Sequence, residues 1–241
     1  MKTYIDHRKV KRRSLISNLA SVGGLLILLS SVAIPLFIPS LDKAAQVLMI
    51  AGMGLSMIGI YFANRWVRKP RPEDSLDQAL KSLNDSYHLF HYPSLPCEHV
   101  LLTPIGVVVI EVFNLAGDFS YKDGRWKEKM NLGRALRYLV EEHLGDPIKN
   151  ARELEEYLRG RLAQALGGEN SISIHSVVTF THPAVRLDVK NPPIPVCKPD
   201  KLCRYISKKT TRLDPAIYNQ LNSFFQSLTV NSKSLTDKSN Y

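Results

Sequence analysis

Two glutamates bracket a turn near the middle of the chain. In the stretch PCEHVLLTPIGVVVIEVFN, residues 96–114, Glu98 precedes an apolar run, Thr-Pro-Ile-Gly at 103–106 reads as a turn, and four branched aliphatics (Val107 to Ile110) lead to Glu111. If the two runs pair as strands over that four-residue turn, residues whose numbers sum to 209 face each other, and Glu98 lies opposite Glu111. A three-residue bulged loop would instead bring Val112 opposite Glu98. Like charges facing each other across a sheet are unfavourable. They persist where a cation bridges them, a proton is shared, or solvent screens them. A hard cation such as Mg²⁺ between two carboxylates suits phosphodiester cleavage. Two solvated acids at a strand end is the plainer reading, and the spacing leaves both open. Strand side chains alternate, so Phe113 emerges on the same face as Glu111.

The elements that must hold this pair follow from pattern. Four consecutive branched aliphatics suit a strand covered on both faces. Residues 73–87 space Leu76, Ala79, Leu80 and Leu83 as one helix face. HLFHY and CEHVLL read as strands, and DFSYKDGRWKEK reads as a hairpin turning at Asp123-Gly124. A long helical stretch follows, broken at Gly145-Asp146-Pro147; Asp146 caps its second half, Pro147 takes the first helical position, and Gly167-Gly168 ends it. SISIHSVVTF (171–180) is a buried strand, VRLDV and IPVC are short strands, and LDPAIYNQLNSFFQSL is a helix capped by Asp214. Its apolar face is Ile217, Leu221, Phe224, Phe225 and Leu228, and the polar residues 231–241 read as a frayed tail. Strands mixed with helices on both sides imply an α/β domain around a central mixed sheet.

The chain ahead of residue 72 has another character. Residues 14–41 hold 28 positions without a charge before Asp42, and 44–64 hold 21 more. About 20 apolar residues cross roughly 30 Å of hydrocarbon, so both qualify as transmembrane helices, with boundaries at 14–41 and 44–66. The first is too long for the apolar core of a signal peptide, and no small-x-small site precedes Asp42. HRKVKRR precedes the first span and RWVRKPR follows the second, while Asp42 and Lys43 alone mark the link. The positive-inside rule then predicts a multi-pass protein of the inner membrane, with the basic segment 1–13 and the domain at 72–230 both in the cytoplasm. Pro35 should kink or end the first helix, and Ala20, Gly24, Gly59 and Ala63 have the spacing for close helix contact.

Composition excludes several classes. The formal charge is +10, yet residues 1–71 hold eleven Lys/Arg against two acids, and the rest is near neutral. Global basicity is therefore no argument for nucleic acid, and topology accounts for the basic flanks. Cys97, Cys197 and Cys203 lack the spacing of a metal knuckle and read as reduced packing cysteines. His99, His175 and His182 read as satisfied core or edge residues, and Ser176 and Ser207 lack a nucleophile-elbow context. Tyr121 and Trp126 on the hairpin could stack on bases, but hairpin aromatics more often pack. There is no phosphate loop and no dinucleotide fingerprint.

The segment PCEHVLLTPIGVVVIEVFNLAGDF resembles the core of the nuclease-related domain (NERD), with similarity extending over about residues 72–228 through Glu73, DPIKNA, VVTFTHP and LDPAIYNQL. The resemblance implies a PD-(D/E)xK, restriction-endonuclease-like fold behind the membrane hairpin, and a site built from Glu73, Glu98 and Glu111, with Glu98 and Glu111 as metal ligands and Mg²⁺ as cofactor if the site is active. It also exposes departures. Glu98 stands where an Asp is usual, Pro72 replaces a Gly, Asn150 stands at the helix position where Gln is common, and Phe113 occupies the lysine position. Lys122 and Lys127 are the candidates for supplying a lysine from elsewhere. The resemblance thus implies a degenerate site that binds or scaffolds nucleic acid or protein at the bilayer, with an active Mg²⁺-dependent endonuclease as the alternative. The sequence does not set the oligomeric state.

Overall fold

A computed structural model describes residues 1–130, 143–167, 172–206 and 212–229 of the 241-residue chain. The chain forms two compact units: Met1–His7, Pro72–Lys129 and Leu144–Tyr241 in one, Arg8–Arg71 and Met130–His143 in the other.

The first unit is built on a six-stranded mixed sheet. Its strands are β1 (Lys2–Ile5), β2 (His88–His91), β3 (His99–Thr103), β4 (Gly106–Phe113), β7 (Ile174–Phe180) and β9 (Val196–Cys197), in that spatial order. The pairs β1–β2, β4–β7 and β7–β9 are parallel, while β2–β3 and β3–β4 are antiparallel. Alternation along β4 explains its unbroken aliphatic run. Val107 and Val109 join Val100 and Leu102 under Leu158 and Leu162 of helix α4 (Pro147–Leu166) and Leu221 and Phe225 of helix α6 (Pro215–Leu228). Val108 and Ile110 join Leu89, Leu101 and Val177 against Leu76 and Leu80 of helix α3 (Pro72–Leu80), Leu202, and Ile206 of the short helix α5 (Cys203–Ile206). Both faces of the strand are covered, as its composition requires.

The helix ends follow capping chemistry. Asp146 accepts from the Lys149 amide at 3.1 Å, Pro147 opens α4, and Gly167 ends it at φ 72°. Asp214 accepts from the Ala216 amide at 2.7 Å and Pro215 opens α6.

Three features depart from the sequence reading. Helix α3 stops at Leu80 rather than reaching residue 87, because Asn84 turns the chain: its side chain accepts from the Ser86 amide at 2.9 Å and its carbonyl from Tyr87 at 3.1 Å. The Asp123-Gly124 hairpin, with φ of 53° and 76°, does form, but its strands β5 (Gly117–Lys122) and β6 (Arg125–Glu128) leave the central sheet and pair with β8 (Val185–Val189) as a second, three-stranded sheet. Finally, residues 2–5 are not part of a basic tail. They add β1 to the edge of the central sheet, where Tyr4 stacks on Phe90 at 5.0 Å and accepts from Gln226 Nε2 at 3.1 Å. The helical stretch expected just after the hairpin, Gly168 and the tail at 231–241 lie outside the described residues, apart from His143 to Gly145.

The second unit contains α1 (His7–Phe37) and α2 (Asp42–Trp66), both long and apolar enough to cross a membrane. Only 17% of each apolar window is buried, which distinguishes them from core helices of a soluble domain. Pro35 sits inside α1, two residues before it ends. The two helices pack antiparallel through small residues: Ser17 Oγ donates to the Gly59 carbonyl at 3.1 Å, and Ala20, Gly24, Ala45, Gly52 and Gly59 are buried. A Cβ on Gly59 would meet the Ser21 amide nitrogen at 2.6 Å, and one on Gly24 would meet that of Ser56 at 2.6 Å. The small-residue spacing thus joins the two helices of one chain.

Gly59→Leu should destabilise this packing by about 1–3 kcal/mol, whereas Gly54→Leu, whose added side chain meets nothing within 4 Å, should be near neutral. Unfolding of the detergent-solubilised protein with increasing SDS distinguishes them, and equal stability of the two variants would contradict the packing.

Candidate functional site

The acid pair begins with strand register. Val100 faces Val109, Leu101 faces Val108, and Thr103 faces Gly106 across the Pro104-Ile105 loop. Continuing that register past the start of β3 sets Glu98 opposite Glu111, on the face covered by α4. Both side chains are half-buried. Glu98 is also fixed from its other edge, since its carbonyl accepts from the Tyr92 amide at 2.6 Å.

Tyr92 links the third acid to this end of the sheet. Its φ of 58° takes it out of strand alternation, and its buried ring lies 5.1 Å from that of His99. Its hydroxyl donates to Glu73 Oε2 at 2.7 Å. Glu73, 2% exposed, occupies the first turn of α3. Helix α3 covers the opposite sheet face from α4, so Glu73 approaches the same end of the sheet from the other layer. Beneath it, His91 and His99 meet Nδ1 to Nδ1 at 2.7 Å, and His91 Nε2 lies 3.3 Å from Asp77 Oδ1, which also accepts from Thr3 Oγ1 at 3.0 Å. His99 is thus a satisfied core histidine. Asp77, His91 and Tyr92 were not singled out in the sequence. The readable signal was the facing of His91 and His99 across adjacent strands.

Phe113 lies two residues beyond Glu111 and is 6% exposed. Its ring stacks on Phe180 of β7 at 5.4 Å and 25°, and Phe180 in turn touches Phe119 at 5.4 Å and Trp126 at 6.0 Å. Ile148 and Ala151 of α4 close the same cluster. The helix position, Asn150, lies half-buried between those two residues in the sequence, its amide bonded to the Asp146 carbonyl at 3.0 Å. Tyr121 and Trp126 pack on each other at 5.2 Å.

The two lysines considered as replacements sit on the second sheet. Lys122 Nζ is 2.8 Å from Asp188 Oδ2, and that hydrogen bond and charge hold the Asp188 carboxyl below its usual range. Lys127 is exposed and pairs with Ser120 across the hairpin. Among the described residues, no group of three or more His, Cys, Asp or Glu side chains could hold a metal ion. Glu98 and Glu111 remain a facing pair, and Mg²⁺ takes one or two carboxylates and fills its shell with water or phosphate oxygens.

The remaining polar candidates have local partners. Ser176 Oγ donates to the Ala151 carbonyl at 2.9 Å and Glu155 Oε2 at 3.0 Å; His175 Nε2 lies 2.8 Å from Ser173 Oγ; His182 Nδ1 accepts from the Ala184 amide at 3.1 Å. Ser207 lies outside the described residues. All three cysteines are free. Burial, and then the charge of Glu111, push the Cys97 thiol up to about 12. The folded chain keeps a proton there that the unfolded chain releases near pH 9, so this contribution to stability is full below about pH 9 and is lost as pH rises toward 12.

Two outcomes follow from these environments. Phe113→Lys would remove ring contacts and bury an ammonium, lowering stability by about 3–5 kcal/mol, whereas Phe113→Leu should cost about 1 kcal/mol; chemical denaturation measures both, and equal stability of the lysine variant would contradict the packing role. Iodoacetamide at pH 8 should leave Cys97 unmodified in the native protein and modify it after unfolding, read by peptide mass; rapid native labelling would contradict the environment assigned to it.

Residues 71–181 match the family model of the nuclease-related domain (NERD). The match includes Glu73, Glu98, Glu111, Phe113, Asn150 and Phe180, and ends before β8. No curated protein and no solved structure matches the chain.

Proposed function

We propose that this chain fixes a nuclease-related domain to a membrane and that the domain binds nucleic acid or protein there through a hydrolytically degenerate site. The domain reading rests on the match over residues 71–181. The degeneracy rests on one observation: at the position two residues past Glu111, where the PD-(D/E)xK pattern carries a lysine, a phenyl ring is stacked into the core. A Mg²⁺ ion held by Glu98 and Glu111 would supply Lewis acidity to a phosphodiester. Phe113 can neither orient an attacking water nor steady developing phosphorane charge, and losing one such group typically costs on the order of 10²- to 10³-fold in rate.

Topology supports the membrane reading. Strand β1 and the segment from Pro72 onward belong to one folded unit. The chain leaves that unit, runs through α1 and α2, and returns to it. A strand cannot pair with its sheet through a bilayer, so both ends of the hairpin lie on the same side. The Lys/Arg excess at those ends puts that side in the cytoplasm, making the protein a multi-pass component of the inner membrane.

The full-length protein in detergent, with Mg²⁺ or Mn²⁺, is expected to leave single- and double-stranded DNA and RNA intact while retaining one of them at low salt if nucleic acid is its ligand. Cleavage that is abolished by Glu111→Ala would overturn the degenerate reading in favour of an active Mg²⁺-dependent endonuclease.

A further inference from the structure

We infer that the basic end of the α1–α2 hairpin is a binding site for the phosphate headgroup of an anionic phospholipid. The inference rests on reading α1 and α2 as membrane-embedded and adds a ligand to that reading. Residues 8–13 and 65–71, more than fifty positions apart, hold nine Lys and Arg and no acid. Antiparallel packing brings them level. Ser17 bonds to Gly59, and one turn below, the Arg13 guanidinium sits 4.4 Å over the Trp66 ring, with the Arg65 guanidinium 5.8 Å from the same ring. Trp66 is 2% exposed, so the indole is a fixed platform for both arginines.

Charge near the span ends suffices to set topology and needs no such convergence. A headgroup site does: like charges gathered at one end repel one another until an anion neutralises them, and the planar guanidinium fork matches phosphate oxygens. The neighbouring helix surface selects a lipid over a free polyanion. Immediately beyond Arg13, Leu15 and Leu19 are 56% and 65% exposed, so cations and apolar surface follow each other along the helix in the order headgroup, then acyl chain. The far end of the hairpin, with one Asp and one Lys at positions 42 and 43, offers no counterpart.

The chain has two tryptophans, so Trp126→Phe leaves Trp66 as the sole reporter. This otherwise full-length protein is reconstituted in phosphatidylcholine vesicles containing increasing fractions of brominated phosphatidylglycerol or brominated phosphatidylcholine, and quenching of Trp66 is followed. Half-maximal quenching is expected at a phosphatidylglycerol fraction about five-fold lower than for phosphatidylcholine. The preference should shrink toward unity in 0.5 M salt and in the combined variant Lys11→Gln, Arg12→Gln, Arg68→Gln, Lys69→Gln. Equal quenching by the two lipids would overturn the headgroup site while leaving the membrane reading intact. No quenching by either would overturn both. A preference that survives neutralisation of the four bases would also overturn it. If a short DNA or RNA duplex at constant ionic strength displaces phosphatidylglycerol, the collar belongs to nucleic acid and the lipid assignment fails.

Discussion

The stack of Phe113 on Phe180 is the contact on which the two sheets of the domain depend. Phe113 ends β4 and Phe180 ends β7, adjacent parallel strands at the centre of the larger sheet. Their rings extend the core beyond the strand ends, where Phe119 and Trp126 of the smaller sheet and Ile148 of α4 meet them. Aromatic pairs of this kind contribute about 0.5–1.5 kcal/mol beyond the area they bury. A lysine at position 113 would have to leave this cluster to carry its charge into solvent. The position therefore serves either packing or proton chemistry, and here it serves packing.

The acids around this stack are held by more than their strands. Glu98 is fixed by register with Glu111 on one side and by the Tyr92 amide on the other, and the same tyrosine reaches Glu73 through its hydroxyl. The His91–His99–Asp77–Thr3 chain ties α3, β2 and β3 to the N-terminal strand. The strand that precedes the first membrane-length helix thus shares a polar network with the helix that follows the second. Anchor and domain are continuous in covalent structure at two places, and the acid end of the sheet lies next to that junction in the hydrogen-bond network. A domain retained for binding keeps what this arrangement supplies, a fixed acidic end on a rigid sheet.

What was legible in the sequence depended on local rules. The Pro104-Ile105 turn has few ways to close, so loop length alone set the register that faces Glu98 with Glu111. Asp146-Pro147 and Asp214-Pro215 mark helix starts through side-chain capping, and Asp123-Gly124 tolerates positive φ. What escaped was set by distant partners. Four residues, Lys2–Ile5, carry too little pattern to declare a strand, and their pairing is decided by β2, more than eighty positions away. Alternation identified β5 and β6 as strands but does not say which sheet they join. The small residues of the hairpin announced close packing, though only the fold shows that Gly24 meets Ser56 of the same chain. The Tyr92–Glu73 link needed a positive φ at a tyrosine, which no turn signal marks.

Anomalous scattering from crystals of the full-length protein grown with Mn²⁺ tests the central claim most directly. The account predicts that the Phe113 ring remains against Phe180 and that no lysine ammonium reaches Glu98 or Glu111, whether or not manganese is found beside them. A manganese ion bridging the two carboxylates, with a lysine nitrogen within hydrogen-bond distance of its bound water, would contradict it.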